Sequence, residues 1–190
     1  MDLRIVYFAI AIYVLLVKLV IPWVMKNRKP FVLRRTLIVY SLLISFLNGL
    51  LAYHMFCHLY ENWNVRCTVR NAPQEVKNSY VTKGFNIIWY NALMKFMEWF
   101  DTIFFALRKK HSQITHLHLI HHTGIVIFPF YIFQLELPNF SYILGSNINC
   151  VIHVLMYLYY GLAAIGPHVQ KYLWWKKYLT MLQIVSRFKT

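Results

Sequence analysis

Acidic side chains are scarce in this chain, with six Asp and Glu against 20 Lys and Arg over 190 residues. All four charged types together reach 14%, where a soluble domain carries about 25%. That shortfall, beside 59% hydrophobic and 18% aromatic residues, points away from a soluble domain and toward a membrane protein. Paired cysteines are also missing. Cys57, Cys67 and Cys150 are scattered without a CxxC pair, which excludes zinc-ribbon and dithiol redox motifs. Internal repeats and low-complexity tracts are absent too, so a single domain over residues 1–190 is expected.

What is present is apolar sequence in recurring stretches, several near the 20 residues that cross about 30 Å of hydrocarbon. The expected spans are 5–25, 36–58, 85–107, 115–133, 142–164 and an incomplete 178–190, giving an all-α, polytopic membrane helix bundle with six visible spans. The first lacks a small-residue cleavage site and is longer than the apolar region of a signal peptide, so it reads as a retained span. Gly166 and Pro167 mark the end of the fifth. A net charge of +14 would suggest nucleic acid in a soluble protein. Here the basic residues sit at span ends, which is the pattern of membrane orientation, and no nucleic-acid partner is expected. The loops 26–35, 108–114 and 165–177 hold 11 Lys and Arg and no acids, and alternation places all three on the cytosolic side. The loop 59–84 is the only long polar connection.

Ionisable groups inside a membrane cost several kcal/mol unless they meet a partner or water, so each marks a candidate site. His118, His121 and His122 stand at i, i+3 and i+4, on one helix face, while His116 points away. Imidazole can act there as base, nucleophile or metal ligand. Lys95, Glu98, Asp101 and Thr102 fall within an arc of about 120° on the preceding span. They read either as an internally neutralised pair or as carboxylates that orient histidines. Asn149, His153, Met156, Tyr157 and Tyr160 share a face of the fifth span within about 100°. His54 and His58 read as interfacial, His111 and His168 as solvated, and Trp174 with Trp175 as an interfacial anchor. Membrane di-iron enzymes also use HxxHH boxes but need several of them. With one box and His153, this chain is expected to hold no metal; a single iron or zinc on His118, His121 and His122 is the alternative.

In order along the chain, these motifs resemble the very-long-chain fatty acid elongases. The segment from Asn27 to Phe31 resembles that family's basic segment after its first span. Lys95, Glu98, Asp101 and Thr102 fit KxxExxDT, followed by Phe104, Phe105 and the run Leu107 to Lys110. Gln113 and His118 to His122 fit Q…HxxHH. Asn149, His153, Met156, Tyr157, Tyr159 and Tyr160 fit N…HxxMYxYY. The stretch from Gly166 to Thr180 leads to TxxQxxQ, matched at Thr180 and Gln183 but with Ser186 for the last Gln. The family usually has an aromatic residue where His116 stands. Elongases of this type have seven spans, six of them around a closed acyl tunnel, so the resemblance implies that the final span, the C-terminal tail and a lumenal disulfide partner for Cys67 are missing here.

The resemblance implies an acyltransferase of the endoplasmic reticulum membrane, a very-long-chain 3-oxoacyl-CoA synthase. It condenses acyl-CoA with malonyl-CoA to a 3-ketoacyl-CoA, CO2 and CoA without a further cofactor. His121 would take the acyl group with His153 facing it; His118, His122 and Asn149 would orient groups and donate hydrogen bonds. Lys95, Glu98, Asp101, Tyr157 and Gln183 would support them. Arg108, Lys109, Lys110, Lys176 and Lys177 are the expected phosphate partners of CoA. Phe104, Phe105, Ile127 and Leu155 would line the tunnel. Membrane lipid and homo- or hetero-oligomers with other elongation enzymes are the expected partners. Two alternatives stay open at this point: an inactive truncated relative acting only through assembly with full-length elongases, and a single-metal membrane oxidoreductase.

Overall fold

The computed structural model describes residues 3–135, 138–175, 177–179 and 181. Among these, every regular element is a helix and no strand occurs. The order is α1 (Leu3–Leu15), a π-helical turn (Leu16–Val20), α2 (Ile21–Met25), α3 (Arg34–Glu61), α4 (Gln74–Leu107), α5 (His116–Ile132), α6 (Phe140–Ile165) and the short α7 (Pro167–Gln170). Leu3–Met25, Arg34–Glu61 and Phe140–Ile165 are long and apolar enough to cross a membrane. The chain is thus a membrane helical bundle, as the composition requires.

The first five expected spans each lie on a helix, with local departures that have physical causes. The π turn precedes Pro22, which has no N–H and whose ring would crowd the carbonyl four residues earlier. Widening that turn, with Ile21 N–H donating to the Leu16 carbonyl, accommodates the ring without ending the helix. The loop expected at 59–84 is shorter, because α4 already begins at Gln74. Pro73 precedes its first residue and Glu75 sits in its first turn, where a negative charge favours the helix N-terminus. Residues 63–65 and 69–71 form single 3-10 turns. The segment expected at 178–190 falls mostly outside the described residues.

The chain divides into two compact units. One comprises residues 1–33 and 92–134, with a core of Val6, Tyr13, Val17, Met25, Ala92, Trp99, Ala106, Leu119, Val126 and Phe130. The other comprises 34–91 and 135–190 and is dominated by α3 packed along α6. Helix α4 belongs to the second unit through Asn91 and to the first from Ala92.

Close approach in the second unit depends on small residues, as membrane helix pairs require. A Cβ on Gly161 of α6 would lie 3.3 Å from Leu42 Cδ2 and 3.5 Å from Ser41 Cβ of α3. A Cβ on Gly84 would lie 2.7 Å from the Pro138 ring, so that position excludes any larger residue. Ser45 Oγ donates to the Val154 carbonyl at 2.9 Å and Asn147 Nδ2 to the Ala52 carbonyl at 2.6 Å. The end of α6 is capped by Arg34, whose guanidinium donates to the Ala164 and Ile165 carbonyls. The chain then leaves at Gly166 (φ 127, ψ −174), a conformation nearly confined to glycine.

His58, read as interfacial, is instead buried inside this unit against Tyr80, with ring centroids 4.9 Å apart. Helix α4 extends past the expected boundary and brings Tyr80 over it. His54, His111 and His168 are exposed. No disulfide joins the three cysteines, and Cys67 is exposed.

Candidate functional site

The first unit holds the HxxHH box and the KxxExxDT stripe together. Helix α5 starts because Thr115, in an extended conformation, accepts a hydrogen bond from His118 N–H through its side chain at 3.1 Å, satisfying one of the N-terminal donors. One turn of helix then stacks His118 against His122, with ring centroids 4.3 Å apart, and sets His121 and His122 at 5.7 Å. His122 is buried and His118 and His121 are half-buried. His116 is exposed at the start of the helix.

Helix α4 presents its stripe in the same unit. Lys95 Nζ lies 2.9 Å and 3.0 Å from the two oxygens of Glu98, and both side chains are 2% exposed. A pair this deeply buried is held only if the fork is well made, and this one is. One turn on, Thr102 is fully buried and its Oγ1 lies 2.8 Å from His118 Nε2. Tyr13 of α1 donates to the same Thr102 Oγ1 at 2.7 Å. Trp99 stacks on Tyr13, with centroids 4.2 Å apart and planes at 14°, and its indole donates to the His122 carbonyl at 3.1 Å. Helices α1 and α4 therefore converge on the histidine box of α5.

The basic segments of this unit also meet. Helix α4 ends with Lys110 N–H on the Phe105 carbonyl and Lys109 N–H on the Ala106 carbonyl, the two bonds of a Schellman cap. The left-handed position of that cap, usually glycine, is Lys109 with φ 55. Phe31 N–H donates to the Leu107 carbonyl and Lys109 Nζ to the Lys26 carbonyl at 3.3 Å. Lys26, Arg28 and Lys29 are thereby tied beside Arg108, Lys109 and Lys110.

The second unit holds the remaining motif on α6. His153 is buried, Asn149 half-buried and Tyr157 fully buried. The His153 and Tyr157 rings are 5.8 Å apart, and Tyr157 meets Tyr40 of α3 edge-on at 6.1 Å. Tyr160 lies 6.2 Å from Tyr157. On α4, Asn91 Nδ2 donates to the Tyr142 hydroxyl at 3.0 Å. Lys177 is exposed, while Lys176 and Gln183 lie outside the described residues.

Sequence reasoning passed over Tyr13, Trp99 and Asn91. The available signal for Tyr13 was its place on the stripe Val6, Tyr13, Val17 and Met25. A phenol on a buried helix face needs a partner. Among the described residues no group of three or more His, Cys, Asp or Glu is arranged to hold a metal ion.

Comparison with known proteins agrees with the motif order. The model of the GNS1/SUR4 (ELO) family matches residues 1–188. Very long chain fatty acid elongase 7 of Drosophila melanogaster is 39% identical over 175 residues, covering 92% of this chain and 52% of its own length. Very long chain fatty acid elongase 7 of Rattus norvegicus is 39% identical over 182 residues, covering 93% and 62%. Very long chain fatty acid elongase 4 of Homo sapiens is 36% identical over 176 residues, covering 92% and 54%. The chain thus spans little more than half the length of these relatives.

Proposed function

Because this chain belongs to the GNS1/SUR4 family, we propose that it is a very-long-chain 3-oxoacyl-CoA synthase, joining a long-chain acyl-CoA to malonyl-CoA in the endoplasmic reticulum membrane. The observation that carries the reading is the histidine box itself. His118 and His122 stack on one another and Tyr13 reaches His118 through Thr102, in the same unit that holds the buried Lys95–Glu98 pair.

The chemistry needs an acyl acceptor, a carbanion and stabilisation of oxyanions. In the first half-reaction a neutral imidazole, His121 by preference, attacks the thioester carbonyl. The C–S bond breaks, CoA leaves as the thiol and an acyl-imidazole remains. In the second, malonyl-CoA loses CO2 and its electron pair becomes an enolate. That enolate attacks the acyl carbon, the C–N bond breaks, and the departing imidazolate takes up one proton from the medium to regenerate the neutral imidazole. Decarboxylation supplies the carbanion without a strong base, so the other polar groups are needed as hydrogen-bond donors to developing oxyanions. His118, His122 and Asn149 are assigned that task, and His153, Tyr157 and Gln183 support them. Lys95 neutralises Glu98, so the pair adds no net charge where anionic substrates react, and Asp101 supports the histidines.

CoA is polyanionic. Arg108, Lys109 and Lys110, with Lys26, Arg28 and Lys29 tied beside them, are proposed to receive its phosphates, joined by Lys176 and Lys177. The same reading expects no cofactor beyond the two substrates and assembly with other elongation enzymes.

Microsomes expressing the chain, given acyl-CoA and labelled malonyl-CoA, test the reading. The expected product is a labelled 3-ketoacyl-CoA two carbons longer, lost in His121→Ala. Absence of labelled product above background would overturn it in favour of a relative acting through assembly alone.

A further inference from the structure

The bonds around Thr102 contain a proton count that decides which form of His118 is present. Thr102 Oγ1 has one hydrogen to give, and among the described residues its hydrogen-bond partners are the Tyr13 hydroxyl at 2.7 Å and His118 Nε2 at 2.8 Å. Thr102 is fully buried and Tyr13 is 3% exposed, so neither hydroxyl hydrogen has bulk water as a substitute.

Three proton arrangements fit the two distances. If His118 Nε2 carried a hydrogen and donated it, with Tyr13 donating as well, Thr102 would accept twice and its own hydrogen would be stranded. If Thr102 donated to Tyr13 instead, the phenol hydrogen would be stranded. Only the order Tyr13 O–H to Thr102 Oγ1, then Thr102 O–H to His118 Nε2, uses both hydrogens. Buried polar hydrogens are almost always satisfied, because leaving one unmade forfeits its full hydration.

We propose that Tyr13 and Thr102 act as a proton-ordered clamp that fixes His118 as the neutral Nδ1–H tautomer. Its Nε2 lone pair is occupied, and its Nδ1 carries the ring hydrogen and acts only as a donor. The clamp opposes the imidazolium as well, since a second ring hydrogen at Nε2 would strand a hydroxyl hydrogen. Resting on the elongase reading, this removes His118 from the candidates for acyl acceptor through Nε2 and assigns it a hydrogen-bond donor's task. Tyr13, from the first span, becomes a positioning residue of the site, held in place by its stack on Trp99. The tautomer itself stands on geometry alone.

Solid-state 15N NMR of the full chain in lipid bilayers, with histidine labelled, tests this without any substrate. The chain has nine histidines, and subtracting the spectrum of His118→Gln isolates the ring in question. The expected spectrum has a protonated Nδ1 and an unprotonated, hydrogen-bonded Nε2. Thr102→Val is expected to remove that Nε2 signature and Thr102→Ser to restore it. Tyr13→Phe keeps the stacked ring and is expected to give a mixture of tautomers. A protonated Nε2 in the unmodified chain overturns the proposal, as does a His118 signal unmoved by both Thr102→Val and Tyr13→Phe. Should the tautomer be as expected while no elongation is detected, the functional reading fails and the clamp stands.

Discussion

In the unit that carries His118, His121 and His122, buried polar side chains bond chiefly to one another: Lys95 to Glu98, and Tyr13 through Thr102 to His118. In the unit built on α3 and α6, several described polar side chains bond to backbone carbonyls instead, Ser45 to Val154, Asn147 to Ala52, Tyr80 to Pro138 and the exposed Arg34 to Ala164, beside side-chain pairs such as Asn91 with Tyr142. A carbonyl is a fixed acceptor that cannot titrate, so such bonds locate helices and do little else. A side chain bonded to a side chain leaves protons whose positions the network decides. The difference lies between a side-chain network that sets proton positions in the first unit and helix-locating bonds in the second, where α6 also carries Asn149, His153 and Tyr157.

Four substitutions probe that difference, in descending size. Glu98→Leu removes the carboxylate that holds the Lys95 ammonium in the interior and is expected to cost about 3–5 kcal/mol. The double change Lys95→Met with Glu98→Leu should recover most of that. Thermal unfolding in mild detergent measures both, and a double variant no better than the single one would show that the pair's charge is not what the first unit depends on. In the second unit, Gly166→Ala forces an L side chain into a glycine-only conformation, with its Cβ 3.0 Å from Arg34 Nη2. A loss of about 1–3 kcal/mol is expected, with elongation per folded molecule unchanged. A fall in turnover with no matching change in the melting curve would show that the capped end of α6 serves the reaction and not packing alone.

Returning to the first unit, Lys109→Gly relieves a left-handed lysine and should gain about 1 kcal/mol. It should also weaken CoA affinity in a titration, since the strained residue is proposed to meet phosphate. Gain of stability with unaltered affinity would remove Lys109 from the CoA site. The smallest effect is Ser45→Ala, where loss of one bond between membrane helices is worth about 0.6 kcal/mol. A loss several times larger would mean that α3 and α6 rely on that bond rather than on the close approach at Gly161.

Most helices were legible in the sequence because apolar length and breaker residues such as Pro167 act locally. The three motif clusters were legible because charge and imidazole are rare in apolar spans and stand out. The start of α4 at Gln74 was not, since residues 74–84 are polar and owe their helix to Pro73, Glu75 and the burial of Tyr80. The pairing of Tyr13 with Thr102 was hidden for a different reason. A tyrosine in an apolar span carries no charge to mark it, and its partner lies 89 residues away. His58 was misjudged because its burial depends on that same unforeseen extension of α4.

The account rests on an imidazole of the first unit accepting the acyl chain. The direct measurement is mass spectrometry of the chain in bilayers after exposure to long-chain acyl-CoA without malonyl-CoA. The predicted result is one acyl chain covalently held on His121, one equivalent of CoA released, and discharge of the adduct when malonyl-CoA is added. Formation of the 3-keto product with no acyl adduct, or the same adduct in His121→Ala, would contradict it.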